Sequence, residues 1–159
     1  MRRLMVLRHA KAALESDSGK DFDRPLARRG WDDAADVGRA MRERGFAPDA
    51  IVASPAKRVV ETLAALAEGY GAIDPAYDQR IYNASPGTLL EVVRAIDDDA
   101  QTLLLAGHNP GLQLLLLALT RDRIGEHFPT AALAVVDLAA ASWADVEPAS
   151  GAVVDLILR

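Results

Sequence analysis

The chain contains no cysteine. Disulfides, thiolate nucleophiles and Cys-based zinc sites are excluded together, because each requires a thiol sulfur. No apolar stretch is long enough to span a membrane. Residues 112–119 are apolar except for Gln113, but they fall far short of the ~20 residues a spanning helix needs, and they read as a helix buried on most of its surface. Positive charge is in deficit, with 18 Lys and Arg against 23 Asp and Glu and a formal net charge of -5. That balance argues against nucleic acid as a partner, and it requires any anionic ligand to be held by a local cluster of cations. Repeats and low-complexity tracts are absent as well. The N-terminus enters an apolar run almost at once without a long signal-like segment, so the expected location is cytoplasmic.

What is present is a chain of 159 residues, 50% of them hydrophobic, enough to build one domain over residues 1–159 with a sizeable core. Leu4 to Leu7 form a short apolar run of the kind that becomes a buried strand, and Arg8 and His9 follow directly. In open α/β sheets the carboxyl ends of the strands border the ligand crevice, so this pair is placed at a binding edge. A guanidinium there can grip a phosphoryl group through two hydrogen bonds. Its charge also disfavours protonation of the neighbouring imidazole, which keeps a lone pair for attack on phosphorus.

The same pattern occurs twice more. Residues 50–53 are apolar, Ser54 is the expected N-cap, Pro55 suits the first helical position, and Arg58 follows about one turn into the helix. Residues 102–106 are apolar and lead into Gly107-His108-Asn109-Pro110-Gly111, with His108 on the connecting turn, Asn109 as N-cap and Pro110 as first helical residue. If the strands are parallel, Arg8, His9, Arg58 and His108 meet at one sheet edge beside two helix N-termini, whose free N–H groups favour anions. Singly, each has an ordinary reading as a solvated turn or helix residue. The coincidence is the signal, since the chain has only three histidines and two of them fall at strand exits.

The remaining chain completes a three-layer α/β/α domain around a mostly parallel sheet. A helix is expected over residues 31–44, with Asp32 and Asp33 in its first turn, Arg42 and Arg44 in its last, Gly45 as stop, and a core stripe of Trp31, Ala34, Ala35 and Met41. The second helix runs from Pro55 to about Glu68, buries Val59, Leu63 and Leu66, and uses Glu61 and Thr62 structurally. Residues 16–23 read as a mobile loop beside the site. Lys11 and Lys20 are expected in solvent, and Arg24, next to Pro25, in a fixed position. Residues 121–130 read as a polar loop with a solvated His127. Strands at 132–138 and 152–158, joined through Trp143 as a packing residue and the turn Ala149-Ser150-Gly151, form an antiparallel edge.

The segments Leu7-Arg8-His9-Ala10-Lys11, Ser54-Pro55-Ala56-Lys57-Arg58 running on to Glu61-Thr62, and Gly107-His108-Asn109-Pro110-Gly111 resemble the histidine phosphatase (phosphoglycerate mutase-like) superfamily. Asp23-Arg24-Pro25-Leu26 followed by Gly30, and Phe128-Pro129-Thr130-Ala131-Ala132 before a strand, resemble its small SixA-type branch of bacterial phosphohistidine phosphatases. The likeness runs from Arg3 to about Leu138. It implies that His9 is the nucleophile and becomes transiently phosphorylated. Arg8, Arg58 and His108 are implied to complete the phosphate-binding group, with Asn109 beside them. No metal or other cofactor is expected, since the arginines supply the positive charge.

Two positions depart from the family pattern. Ala10 stands where Gly is common, which is tolerable only if the backbone there avoids positive φ. The general acid is the larger departure: residues 77–85 offer only Asp78, which reads as a strand-edge or turn residue, and Glu91 reads as a solvated position on the helix opened by Ser85 and Pro86. An alkoxide leaving group without an acid loses ~10²- to 10⁴-fold in rate, whereas the nitrogen of a phosphohistidine departs far more readily. The expectation is therefore a metal-independent phosphohydrolase acting through a phosphohistidine intermediate on a phosphohistidine-containing protein. A phosphatase or mutase for a small phosphorylated metabolite is the alternative, and a catalytically silent phosphate-binding module a further one.

Overall fold

The computed structural model describes residues 1–122 and 127–159, so part of the expected polar loop 121–130 lies outside the described residues. In chain order the main elements are β1 (Arg2–Arg8), α1 (Arg28–Arg44), β2 (Ala50–Ala53), α2 (Lys57–Tyr70), β3 (Ala76–Tyr77), α3 (Pro86–Arg94), β4 (Thr102–Gly107), α4 (Gly111–Thr120), β5 (Leu133–Leu138) and β6 (Gly151–Ile157). The sheet order is β3-β2-β4-β1-β5-β6. β1 to β4 pair in parallel, and β5 runs antiparallel to both β1 and β6. This is the mostly parallel sheet with an antiparallel edge that the sequence pattern implies.

The central strands are apolar throughout because both sheet faces are covered. Side chains alternate between faces along a strand. Leu4, Val6, Leu103 and Leu105 accordingly pack with Leu89, Val92, Leu112 and Leu116 of α3 and α4. Met5, Leu7, Leu104 and Ala106 pack with Val37, Met41, Leu63 and Leu66 of α1 and α2. Three layers result. α4 is less enclosed than expected: Leu112, Leu115, Leu116 and Leu119 are buried, but Leu114 and Leu117 face solvent. Among the described residues no helix is long and apolar enough to cross a membrane.

α1 starts at Arg28, three residues before the expected Trp31, so Asp32 and Asp33 do not lie in its first turn. Tertiary docking replaces capping here. Ala27, the N-cap, has no side-chain hydrogen bond, and its backbone N–H donates instead to the Lys11 carbonyl (2.9 Å), tying the helix start to the loop that follows β1. The C-terminus is as expected, with Gly45 in the left-handed region at φ 73°. Trp143 is fully buried and donates Nε1–H to the Ala100 carbonyl, as its packing role requires.

α1 and α2 cross at two glycines. A Cβ added at Gly38 would run into the Leu66 carbonyl oxygen, and one added at Gly69 would run into that of Ala35. Backbone cannot yield as a flexible side chain can, so Gly69→Ala is expected to destabilise the fold by roughly 1–3 kcal/mol or more. Urea unfolding measures this directly; an unchanged midpoint would show that the helices separate at no cost.

Candidate active site

The parallel strands bring the predicted residues to one edge. Arg8 closes β1 and His9 follows it, Arg58 is the second residue of α2 after β2, and His108 follows β4. A cavity of about 290 Å³ opens there, lined by Arg8, His9, Arg24, Arg58, His108 and Asn109 among others. All five candidate residues are thus adjacent. The ring centroids of His9 and His108 lie 5.4 Å apart.

His9 is only 9% exposed. Its backbone extends the sheet, its N–H donating to the Gly107 carbonyl (3.1 Å) and its carbonyl accepting from Ala131 N–H (3.0 Å). The ring Nδ1 lies 2.8 Å from the Ala10 carbonyl oxygen, which can only accept, so Nδ1 carries the proton and Nε2 keeps its lone pair. Burial, reinforced by Arg58, Arg8 and Arg24, pushes the His9 pKa down to about 4 despite that hydrogen bond. His108 is pushed down to about 3, first by burial and then by Arg58. Both imidazoles are neutral at neutral pH, and one presents an unprotonated nitrogen among guanidinium groups.

The arginines are gripped from one end. Arg8 Nη1 donates to the Phe128 carbonyl (3.2 Å), while Arg58 donates Nη1–H to the Asp21 carbonyl (2.9 Å) and Nη2–H to its carboxylate (3.1 Å). Among the described residues, the buried side-chain polar atoms left without a partner in the protein are Arg8 Nε, Arg58 Nε, His108 Nδ1 and Asn109 Oδ1. Each belongs to a residue lining this cavity. Buried polar groups are nearly always paired, so the concentration of unpaired ones marks a place for a polar ligand: the two Nε–H groups call for acceptor oxygens, and Asn109 Oδ1, which can only accept, calls for a donor. No group of three or more His, Asp or Glu among the described residues could hold a metal ion.

A sequence model of the histidine phosphatase superfamily (branch 1) matches residues 4–98. The chain belongs to this superfamily. It is 40% identical to an uncharacterized protein of Mycobacterium tuberculosis over 159 residues, covering 93% of this chain and 96% of that relative. Its structure is similar to that of a candidate phosphohistidine phosphatase SixA from Agrobacterium tumefaciens, with TM-score 0.86, 30% identity, and 99% of this chain and 98% of that one covered. The fold alone is shared, at 19% identity and TM-score 0.82, with a protein histidine phosphatase SixA complexed with tungstate, over 98% of this chain and 96% of that one.

Within this superfamily frame two expected caps are corrected. Ser54 does not cap α2: the helix begins at Lys57, its N-cap Ala56 has no side-chain bond, and the Ser54 hydroxyl, fully buried, accepts the Ala56 N–H (3.2 Å) and meets His108 Nε2 (2.8 Å). Asn109 does not cap α4, because its Nδ2 donates to the Phe128 carbonyl (2.8 Å) and Pro110 occupies the cap position. Thr62 has a larger part than packing. Its hydroxyl accepts the Ala10 N–H (2.9 Å) and donates to the Arg58 carbonyl (2.6 Å), coupling the segment that bears His9 to the helix that bears Arg58. Ala10 itself avoids positive φ, so its methyl is unstrained.

Sequence reasoning also missed Asp21. The expected mobile loop 16–23 ends in a short 3-10 turn, Asp21–Asp23, and the Asp21 carboxylate accepts from Tyr82 Oη (2.6 Å), Arg24 Nη1 (2.9 Å) and Arg58 Nη2 (3.1 Å). These donors, Tyr82 foremost and then Arg24, hold its pKa far below the usual carboxylate range. The spacing of Asp21 and Arg24, a fixed arginine with an acid three residues before it, was the available signal. Pro55 falls before α2 and Pro110 before α4, so neither is a first helical residue, whereas the readings of the surrounding charged residues agree with the structure. Glu61 accepts the Leu26 N–H, Asp78 pairs with Arg80, and Lys11, Lys20, Glu91 and His127 are exposed.

Because His9 and His108 bind protons less readily folded than unfolded, the unfolded state takes them up first as pH falls. Stability is therefore expected to drop from about pH 6.5 down to the folded values of about 4 and 3 and to level off below them, as far as these groups contribute. NMR titration of the labelled rings checks this: neither should titrate between pH 6 and 8. A midpoint near 6.5 for His9 would contradict the buried, cation-flanked geometry.

Proposed function

We propose that this chain is a metal-independent phosphohydrolase that uses His9 as its nucleophile and acts on protein phosphohistidine. The single observation that carries this reading is a neutral His9 whose Nδ1–H is committed to the Ala10 carbonyl, so that Nε2 is left unprotonated in a cavity shared with Arg8, Arg58 and His108. Nε2 attacks phosphorus in line, the bond from phosphorus to the leaving nitrogen breaks with its electron pair going to that nitrogen, so that a substrate ring already protonated on its other nitrogen leaves as neutral imidazole, and a phosphohistidine forms on His9. Arg8, Arg58 and His108 stabilise the charge on the equatorial oxygens. Water then attacks phosphorus, the bond to Nε2 breaks, and phosphate leaves with His9 restored.

What lines the cavity supports this substrate class. No carboxyl side chain among the described residues does so: Asp78 is turned onto Arg80, and Asp21 lies at the far nitrogens of Arg58, fully ionised. A site with a nucleophile and a phosphate clamp but no placed acid suits a leaving group that departs unaided, as a phosphoramidate nitrogen does. The likeness to SixA-type phosphohistidine phosphatases supports the same class.

Metal-free turnover of a phosphohistidine-bearing protein, an aryl phosphate and 3-phosphoglycerate tests the reading. The first two should be cleaved and the third barely touched, His9→Ala should abolish all turnover, and Asp78→Asn should leave phosphoramidate cleavage within about twofold. Equal efficiency on 3-phosphoglycerate would move the small-metabolite alternative ahead, and residual turnover in His9→Ala would remove the nucleophile.

A further inference from the structure

Among the described residues Ser54 is the fully buried hydroxyl hydrogen-bonded to a ring of the site, and its hydrogen bonds can be accounted for completely. The oxygen accepts the Ala56 N–H at 3.2 Å and lies 2.8 Å from His108 Nε2, and these are its two partners. The hydroxyl proton has to go somewhere. If His108 carried its proton on Nε2 and donated to Ser54, the Ser54 oxygen would accept twice and its own proton would be buried with no acceptor, at the full desolvation cost of an unpaired donor. The lone pair of His108 Nδ1 would then be buried without a partner too, in a cavity that Arg8 and Arg58 equip for oxygen atoms.

The opposite arrangement satisfies Ser54 completely and leaves only His108 Nδ1 to a ligand. Ser54 donates to Nε2, the ring proton sits on Nδ1, and the unpaired Nδ1 becomes an N–H donor for a phosphoryl oxygen. We propose that Ser54 is a positioning residue that fixes the neutral His108 in its Nδ1–H tautomer, so that His108 binds the phosphoryl group as an uncharged hydrogen-bond donor. The inference rests on the phosphohydrolase reading only for the identity of the ligand. Burial and Arg58 keep His108 from protonating, and the neutral ring donates into the site from Nδ1 when its Nε2 lone pair accepts a hydrogen bond from a neighbour. The two histidines then have matched but opposite settings. His9 gives its Nδ1–H to a carbonyl and offers a lone pair, while His108 accepts a hydrogen bond at Nε2 and offers an N–H.

The test is ¹⁵N NMR of the labelled, ligand-free protein at neutral pH, where long-range couplings identify which ring nitrogen is protonated. The expected result is Nδ1–H for both His9 and His108; a proton on Nε2 of His108 in the wild type overturns the proposal. Ser54→Ala should move His108 toward the Nε2–H tautomer, leave His9 unchanged, and weaken inhibition by orthovanadate about tenfold, the scale of one lost hydrogen bond to a charged oxygen. Unaltered His108 tautomer and vanadate affinity in a folded Ser54→Ala protein would equally overturn it. The tautomer is read without substrate, so it decides this proposal even where absent turnover on every phosphoryl compound would count against the phosphohydrolase reading alone.

Discussion

Two guanidinium groups set side by side at the end of one sheet are the constraint from which the rest of this site follows. Arg8 is held below its ordinary pKa first by burial and then by the charge of Arg58, so the pair is under mutual repulsion before any ligand arrives. The protein relieves that repulsion from behind. Asp21 faces the far nitrogens of Arg58 with a full negative charge, and the Phe128 carbonyl receives Arg8. The Nε–H of each arginine is left without a protein partner. In the same field imidazolium rings at His9 and His108 would add a third and a fourth positive charge, and both histidines respond by remaining neutral. On the proposed reading, phosphate affinity and nucleophile activation share one cause.

Holding such a cluster together needs rigid support, and the fold supplies it through backbone. His9 is pinned between β4 and the segment before β5 by its own N–H and carbonyl. Thr62 ties Ala10 to Arg58, and the start of α1 is tied through Ala27 to Lys11, so the loop leaving the nucleophile is fixed at successive residues. α1 and α2 approach to the limit that Gly38 and Gly69 permit, which fixes the height of α2, and with it Arg58, above the sheet.

This division explains what could be read from the sequence. Strand runs such as Leu4 to Leu7 are continuous because both faces are covered, and the chemistry-bearing residues stand directly at their ends, so the topology of a parallel sheet was enough to gather Arg8, His9, Arg58 and His108. Ser54, Asn109 and Asp21 behave differently. Ser54 and Asn109 have the residue types of helix caps and sit where caps belong, but a partner distant in sequence, His108 for one and Phe128 for the other, claims each side chain. α1 was placed late for a related reason: its N-terminus is set by contact with Lys11, and no local cap residue announces it. Asp21 lies in a stretch whose Ser, Asp and Gly content suggests mobility. Only its pairing with Arg24 is local; the rest of its order comes from Arg58 and Tyr82, 37 and 61 residues away.

The missing acid belongs to the same electrostatic account. A carboxyl group hydrogen-bonded to cations loses its proton, and Asp21 shows the outcome: with Tyr82, Arg24 and Arg58 around it, it is an anion that orients an arginine and cannot donate a proton. A carboxylic acid placed against the guanidiniums that bind the phosphoryl group would meet the same fate. Proton donation to a leaving group would need an acid set apart from that cluster, and Asp78, the one carboxyl in the 77–85 stretch, is itself ionised against Arg80. In the proposed reaction the charges around the phosphoryl group thus narrow the chemistry: they favour transfer to His9 from a nitrogen that departs without an acid supplied by the protein, and they leave an alkyl ester with no source for the proton it needs.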